Sequence, residues 1–157
     1  MAITFVGHSF ICSSSKVKEI VKTQIQNHMV DTESVICYLG GHGDFDTICA
    51  YACKEWKETY AGIKIVYVTP YISLSRQAKM KEMQNCGLYD MFIYPPIENV
   101  PPRFAISKRN EWMITNADLI IAYVNHNYGG AYQSLLLAKR RKKRIINICD
   151  FLEQNGR

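Results

Sequence analysis

The sequence predicts an α/β fold, a single Rossmann-like domain of three layers in which helices cover both faces of a mostly parallel sheet. Short apolar runs alternate along the chain with longer segments whose apolar residues recur at helical spacing, which is the pattern of β–α–β units. The run 119–124 is continuously apolar and too short for a helix, as is typical of a strand covered on both faces. With 157 residues, 48% of them hydrophobic, the chain predicts one domain over 1–157 with its own core.

The elements follow in order from these patterns. The apolar runs predict strands at 3–6, 34–39, 63–69, 91–94, 119–124 and 144–149. The segments with helical periodicity predict helices at 16–29, 44–60, 75–86, 103–116 and 131–139. Ser13, Ser14 and Ser15 can cap the first helix. The prolines in 97–102 predict an irregular connection, since they interrupt helix and central strand alike.

The composition argues against several classes of protein. No run of apolar residues is long enough to cross a membrane, and the first residues lack the basic region of a signal peptide, so we expect a cytoplasmic protein without a membrane partner. None of the six cysteines forms a C-x-x-C motif. Reduced thiols are therefore expected, rather than disulfides or zinc ligands.

Much of the net charge of +5 lies in one basic run, Lys139–Arg144. The run follows a predicted helix, where cations meet the negative end of the helix dipole, and no aromatic residues are interleaved with it. We interpret it as a solvated helix end, and nucleic acid is not expected as a partner.

The unusual residues cluster where the predicted strands end. Gly7-His8-Ser9 follows the first strand, 40–46 the second, 69–71 the third, and 125–130 the fifth. In parallel sheets, ligands bind in the crevice beyond these carboxyl ends. Gly129, Gly130 and Ala131 open a helix, so their backbone N–H groups and the helix dipole favour an anion, and glycine lets a ligand approach the main chain. We expect the three glycine-bearing loops to form one anion-binding rim.

Several side chains at this rim have two interpretations. Asp44 or Asp46 would either cap the second helix or accept hydrogen bonds from ribose hydroxyls. The spacing matches neither G-x-G-x-x-G nor G-x-x-x-x-G-K-[ST]. One of Arg103, Lys108 and Arg109 would reach a phosphate if it faces the rim.

Three histidines, His8, His42 and His126, also stand at strand ends. If they converge, they permit acid–base chemistry. No pair has the short helical spacing of metal ligands, so no metal site is predicted. Tyr128 would either stack on a base or pack against its helix, and the same two roles apply to Tyr132.

Three motifs together resemble a known family. They are G-G-H-G-D-F-D at 40–46, V-P-P-R-F-A-I-S-K-R-N-E-W-M-I at 100–114, and A-D-L-I-I-A-Y-V at 117–124 followed by N-Y-G-G-A at 127–131. They resemble bacterial proteins of the SLOG superfamily, which is related to the Smf/DprA and LOG proteins, and specifically its YpsA/YspA-like branch of unknown function. The opening G-H-S-F is similar to the G-H-R turn of that branch.

The resemblance implies a SLOG-like domain that binds a nucleotide or a nucleotide-derived ligand, such as NAD, ADP-ribose or a nucleoside phosphate; no cofactor is otherwise implied. The ligand contacts that the resemblance implies are Gly7, His8, Gly40, Gly41, Asp44, Asp46, Arg109, Asn110, Gly129 and Gly130. We add Ser9 and Ala131 to the expected ligand-binding residues because they adjoin these contacts in the rim. Two departures matter. Ser9 replaces the usual arginine, and 128–134 lacks the threonine and catalytic glutamate of the LOG pattern P-G-G-x-G-T-x-x-E. Without that carboxylate, N-glycosidic cleavage by the LOG route is not expected.

Two main hypotheses about function follow; a third, a nucleic-acid binder like the Smf/DprA relatives, rests on the basic run 139–144 alone. The first is a sensor or signalling module that binds such a ligand and responds by conformational change or association. The alternative is an enzyme that cleaves an N-glycosidic or phosphate bond with Asp44 or Asp46 as acid–base group beside His8 or His42. An exposed apolar helix face would also allow two copies to pair as a homo-oligomer.

Overall fold

The structure is a computed structural model and describes residues 1–29 and 33–154, so the predicted domain end at 155–157 lies outside the described residues. The strands are β1 Ala2–Gly7, β2 Val35–Leu39, β3 Ile63–Val68, β4 Met91–Ile93, β5 Leu119–Tyr123 and β6 Arg144–Asn147. The helices are α1 Ser14–Asn27, α2 Gly43–Thr59, α3 Leu74–Asn85, α4 Ala105–Asn116, α5 Gly129–Arg140 and α6 Cys149–Gln154. A 3₁₀ turn, Pro102–Phe104, precedes α4.

These strands form one sheet in the order β4-β3-β2-β1-β5-β6, and every pair is parallel. The chain moves outward from β1 to β4 and then returns to place β5 beside β1. The strand order therefore reverses between β1 and β5, which is the switch point where ligands bind in sheets of this kind. The predicted α/β, Rossmann-like class is confirmed.

Alternating side chains of each strand pack into hydrophobic clusters on the two faces of the sheet. Ile3 and Phe5 of β1 pack with α1 and α2, whereas Val6 packs on the opposite face with Ile114 of α4 and Leu135 of α5. Both faces are buried, and this explains why β5 reads as a continuous apolar run with every residue buried. The three predicted layers are present.

Some predicted boundaries differ from the structure. The last strand was expected to extend to Cys149, but it ends at Asn147, and Cys149 begins α6. The Asn147 side chain exchanges hydrogen bonds with the backbone of Val124, at 3.1 and 2.8 Å, and so replaces strand pairing at that point. Ser13 stands at the N-cap of α1, but its side chain makes no capping hydrogen bond.

Among the described residues, three of the six cations in the basic run 139–144 contact other parts of the fold. Lys143 Nζ donates to the Thr115 and Ala117 carbonyls at the end of α4, at 2.7 and 2.8 Å. Arg141 pairs with Glu111, and Arg144 contacts His28. These cations therefore stabilise the C-terminal end of α4 and its neighbours as well as meeting solvent.

The six cysteines all lie in the described residues, and each is a free thiol; Cys12 and Cys86 are exposed. In the part of the chain that the structure describes, no helix has the length and apolar character needed to cross a membrane.

Candidate ligand-binding site

A cleft of about 650 Å³ opens at the carboxyl edge of the sheet, beside the β1–β5 switch point. Its walls come from the loop after β1, the loop after β5, the first turns of α2 and α5, and one face of α4. The polar or glycine residues that line it are Gly7, His8, Ser9, Cys12, His42, Asp46, Arg109, Asn110, Tyr123, Asn125, His126, Gly129, Gly130 and Ser134, with Ala131 beside them. Loops far apart in sequence thus meet around one space.

The structure brings most of the predicted contact residues to this cleft but leaves out Gly40, Gly41 and Asp44. Gly40 is buried, and a Cβ on it would lie 2.5 Å from Arg109 Nη1. Gly41 has a φ of +65°, and a Cβ there would lie 2.0 Å from the Tyr67 ring. These two glycines are needed because protein side chains approach their backbone, and neither lines the cleft.

The backbone amides of the Gly40-Gly41 turn face a carboxylate of the protein itself, that of Asp46. The Asp46 carboxylate lies against the N–H groups of Gly40, Gly41 and His42, and its Oδ2 accepts from the His42 N–H at 3.1 Å. A carboxylate of the chain therefore fills a position at which the sequence predicted a ligand anion. The N-cap of α2 is His42, not Asp46. The Asp46 side chain lies in the first turns of the helix and accepts the hydrogen bond from the backbone N–H of His42.

Asp44 serves the loop between β1 and α1. Its Oδ2 accepts from the Ile11 N–H at 3.2 Å, and its own N–H donates to the Ser9 carbonyl at 2.9 Å. Gly43 adjoins this contact with a φ of +85°, and a Cβ on it would lie 2.8 Å from the Ser9 α-carbon. Together these contacts hold the Gly7-His8-Ser9 turn against the start of α2.

Arg109 supplies a buried guanidinium at the base of the cleft, with only 3% of its surface exposed. Nη1 donates to the Gly40 carbonyl at 2.5 Å and the Val68 carbonyl at 2.8 Å, and Nε donates to Asn110 Oδ1. The side chain joins the ends of β2 and β3. Burial lowers the pKa of Arg109, and the nearby Asp46 carboxylate opposes that shift.

The Asp46 carboxyl has a perturbed pKa. Loss of solvation in its surroundings raises the pKa, and the backbone donors and the Arg109 charge only partly offset that effect. Asp46 also lines the cleft. A carboxyl group at this position would take up a proton more readily than an exposed aspartate.

The first turn of α5 is the open part of the site. Its N-cap, Tyr128, makes no side-chain capping hydrogen bond. Gly129 has a φ of +86°, and a Cβ on Gly129 or Gly130 would meet no atom within 4 Å. Ser134, one turn further, is 9% exposed and lines the cleft, and its hydroxyl makes no hydrogen bond to any described residue. Backbone N–H groups and this hydroxyl are therefore available to a bound group.

Three aromatic rings stack above the loop that follows β5. The His8 and His126 ring centroids are 3.4 Å apart, and His126 and Tyr128 are 3.9 Å apart, each pair nearly parallel. Asn125 N–H donates to His8 Nε2 at 3.3 Å. Burial lowers the pKa of His8, and the charge of His126 lowers it further. His126 Nδ1 is buried without a partner among the described residues.

The sequence placed all three histidines at strand ends but did not predict that two of them stack. His42 lines the same cleft, so the histidines do converge. The ring stack depends on the distance between the loops after β1 and β5, which only the pairing of those strands sets. Within residues 1–29 and 33–154, no three histidine, cysteine, aspartate or glutamate side chains cluster as a metal site.

Comparison with known proteins adds information about the fold. No protein-family model matches the chain, and no curated protein sequence is similar to it. Among solved structures, DNA processing protein A from Helicobacter pylori, described as binding single-stranded DNA, superposes with a TM-score of 0.60 at 14% identity, over 99% of this chain and 73% of that one. The molybdenum cofactor carrier protein of Chlamydomonas reinhardtii gives 0.54 at 16% identity, over 92% of this chain and 74% of that one. The chain shares their fold.

Proposed function

We propose that this protein binds a nucleotide or nucleotide-derived ligand in the cleft at the carboxyl edge and acts as a sensor or signalling module. One observation carries the proposal. The uncapped first turn of α5, with open space at Gly129 and Gly130, faces a cleft of about 650 Å³ that also holds an unpartnered Ser134 hydroxyl. A phosphate on these donors would be stabilised by the helix dipole.

The other walls of the cleft suit the rest of a nucleotide. Phe5, Met113 and Ile114 give it an apolar floor, and the His8–His126 stack offers flat ring surfaces beside it. Asn110 and Asn125 add amide groups that can donate and accept. Sites for small molecules typically combine such an apolar lining with few convergent polar groups.

Membership of the SLOG superfamily is part of this proposal. It rests on the motifs of the sequence together with the fold shared with DNA processing protein A. The YpsA/YspA-like branch, a bacterial source and a cytoplasmic location rest on the sequence alone.

Isothermal titration calorimetry against AMP, ADP-ribose and NAD tests the proposal, with glycine variants as the structural readout. Gly130→Ala adds a methyl group where the backbone is unstrained, so we expect intact folding and clearly weaker binding. Gly129→Ala and its control Gly87→Ala both add a side chain at positive φ in open space. Each should cost about 1 kcal/mol of stability, but only Gly129→Ala should weaken binding. No heat with any of these ligands would contradict the proposal.

A second candidate function, hydrolysis of a nucleotide bond, is favoured by Asp46, whose raised pKa and position in the cleft suit an acid–base group. Asp44 is committed to the Ile11 amide. Incubation of the same ligands with the protein, followed by chromatography for released base or phosphate, separates enzyme from sensor. Turnover that is lost in Asp46→Asn would favour the enzyme; unchanged ligand would favour the sensor.

Single-stranded DNA deserves a direct test, because DNA processing protein A is described as binding it. Our expectation that nucleic acid is not a partner stays a prediction. Fluorescence polarisation with labelled single-stranded DNA at several salt concentrations checks it, since phosphate contacts give a steep salt dependence.

A further inference from the structure

A second groove, of about 660 Å³, lies between helices α4 and α5. On α5 its lining residues are three or four positions apart and so share one helix face: Gly130, Gln133, Leu137 and Arg140. They span about 15 Å at the rise of an α-helix, which is about three turns. On α4, Ser107 and Glu111 repeat the same spacing. A trough between the side-chain rows of two helices is a shape that receives a third helix.

The groove carries an excess of positive charge. Among the described residues that line it, Arg103, Lys108 and Arg140 are cationic and only Glu111 is acidic. Glu111 is already paired, with Lys108 at 2.8 Å and with Arg141 at 2.6 Å. Arg103 and Arg140 are exposed, and neither has a carboxylate partner in the described part of the chain. Carboxylates of a partner would therefore meet two unpaired guanidinium groups.

The groove also offers aliphatic surface. Ile106 is 40% exposed and lies outside the hydrophobic clusters, and Leu137 is half-buried at the edge of one of them. No aromatic ring lines the groove among the described residues, and the exposed Phe104 ring next to Arg103 lies under that guanidinium, 4.7 Å from the ring centroid. Nucleic-acid bases stack on free aromatic rings, so this lining favours the aliphatic side chains of a protein.

We infer that the groove between α4 and α5 is a docking surface for an acidic amphipathic helix of a partner protein. The leucine-like side chains of that helix contact Ile106 and Leu137, and its carboxylates pair with Arg103 and Arg140. Two copies of this chain paired through the groove would place like charges opposite one another, which is costly. An acidic partner is therefore favoured over a second copy.

The inference goes beyond the proposed function and does not depend on it. Gly130 lines both the groove and the cleft, so a docked helix would lie beside a ligand at the start of α5. Because the test uses no nucleotide, it can fail while the cleft binds its ligand, and it can succeed when no ligand binds.

Fluorescence polarisation with a synthetic peptide tests the inference. The probe is a fluorescein-labelled peptide of about 18 residues, long enough to be partly helical in water. Leucines at every third or fourth position form one face, with glutamates beside them and alanines opposite. The control peptide has the same composition in an order that spreads the leucines around the helix. We expect saturable binding of the ordered peptide that weakens with added salt, and at least about fivefold weaker binding of the control.

Variants assign the binding to the groove. The double variant Arg103→Gln/Arg140→Gln should weaken binding of the ordered peptide at least about fivefold through the loss of two ion pairs. Ile106→Asn should also weaken it, because an exposed aliphatic contact is lost. Lys139→Gln and Ile72→Asn remove the same kinds of side chain outside the groove and should leave the affinity unchanged. Circular dichroism checks that each variant is folded.

Four results would overturn the inference. Absence of binding is the first, and equal binding of the two peptides is the second, because general charge attraction would then suffice. Loss of oligothymidylate binding in the double variant, with peptide affinity unchanged, would assign the groove to nucleic acid. A dimer in sedimentation velocity that dissociates in Ile106→Asn would assign it to a second copy of the chain.

Discussion

Arg109 contributes a buried guanidinium to the base of the cleft and holds the ends of two strands through their carbonyls. The sequence suggested a phosphate contact for Arg109. The structure instead directs Nη1 to Gly40 and Val68, at 2.5 and 2.8 Å. The residue therefore shapes the site from below, and any contact with a ligand would come in addition to this role.

Replacement of Arg109 should be strongly destabilising. In Arg109→Met, two carbonyls lose their donor and Asp46 loses its nearby positive charge, so we expect a loss of about 3 kcal/mol in the free energy of unfolding. Urea denaturation followed by circular dichroism measures it. The exposed Arg103 is the matched control, and Arg103→Met should cost less than about 1 kcal/mol. A loss in Arg109→Met as small as that of the control would contradict the described contacts.

Asp46 should make stability depend on pH in an unusual direction. Its pKa is raised in the folded protein by desolvation, whereas in the unfolded chain it is about 3.9. Between these two values the folded state binds more protons, so the contribution of Asp46 to stability is greatest at low pH and falls as the pH rises. A salt-bridged aspartate has the opposite pH dependence, because its lowered pKa makes its contribution to stability greatest at high pH.

The variant Asp46→Asn isolates this contribution. The difference in free energy of unfolding between variant and parent should move in favour of the variant as the pH rises from about 4, and then level off above the folded-state pKa. Urea titrations at a series of pH values provide the curve. A difference that is constant across the series would show that the Asp46 pKa is the same in both states.

At the scale of elements, the crossing of β1 and α2 depends on one glycine. Gly7 ends β1, and a Cβ on it would lie 2.2 Å from Cδ1 of Phe45, a fully buried residue of α2. The contact sets how closely α2 packs on the sheet, and thereby the position of His42 and Asp46 at the cleft. The sequence motif indicated a ligand contact at Gly7, and the structure gives it this packing role as well.

We expect Gly7→Ala to destabilise the protein by about 1–3 kcal/mol, because the added methyl group overpacks a core that cannot expand without moving α2. Denaturant unfolding measures the loss. Gly130→Ala is the control, since a Cβ at that position meets no atom within 4 Å. Equal stability of the two variants would mean that the β1–α2 contact tolerates the extra volume.

For the whole molecule, the prediction of a single domain can be tested with the two tryptophans, which lie on opposite faces of the sheet. Trp56 Nε1 contacts Met29 Sδ in the α1–α2 core, and Trp112 of α4 packs edge-on against Tyr38 of β2. In Trp56→Phe and Trp112→Phe, the remaining fluorophore reports on one face. We expect the fluorescence and circular dichroism transitions of each variant to coincide in urea, as in two-state unfolding. Separate midpoints would indicate that the two faces unfold independently.

The sequence by itself determined the layers and the edge of the sheet at which the glycine-bearing turns lie. Periods of two and 3.6 residues are local properties, so the continuous apolar run of β5 and the amphipathic face of α2 predict buried strand and helix without knowledge of their partners. The glycine-bearing turns at Gly7 and Gly129 could likewise be assigned to one edge, because parallel strands all end there.

Only the tertiary structure decided which of those turns faces open space. The amides at Gly40 and Gly41 surround the Asp46 carboxylate, and the carbonyl of Gly40 is held by Arg109 from 69 residues further along the chain. The first turn of α5 has no such occupant. Sequence shows that a turn can bind an anion, but whether a side chain already occupies it depends on packing between distant segments, as does the groove between α4 and α5.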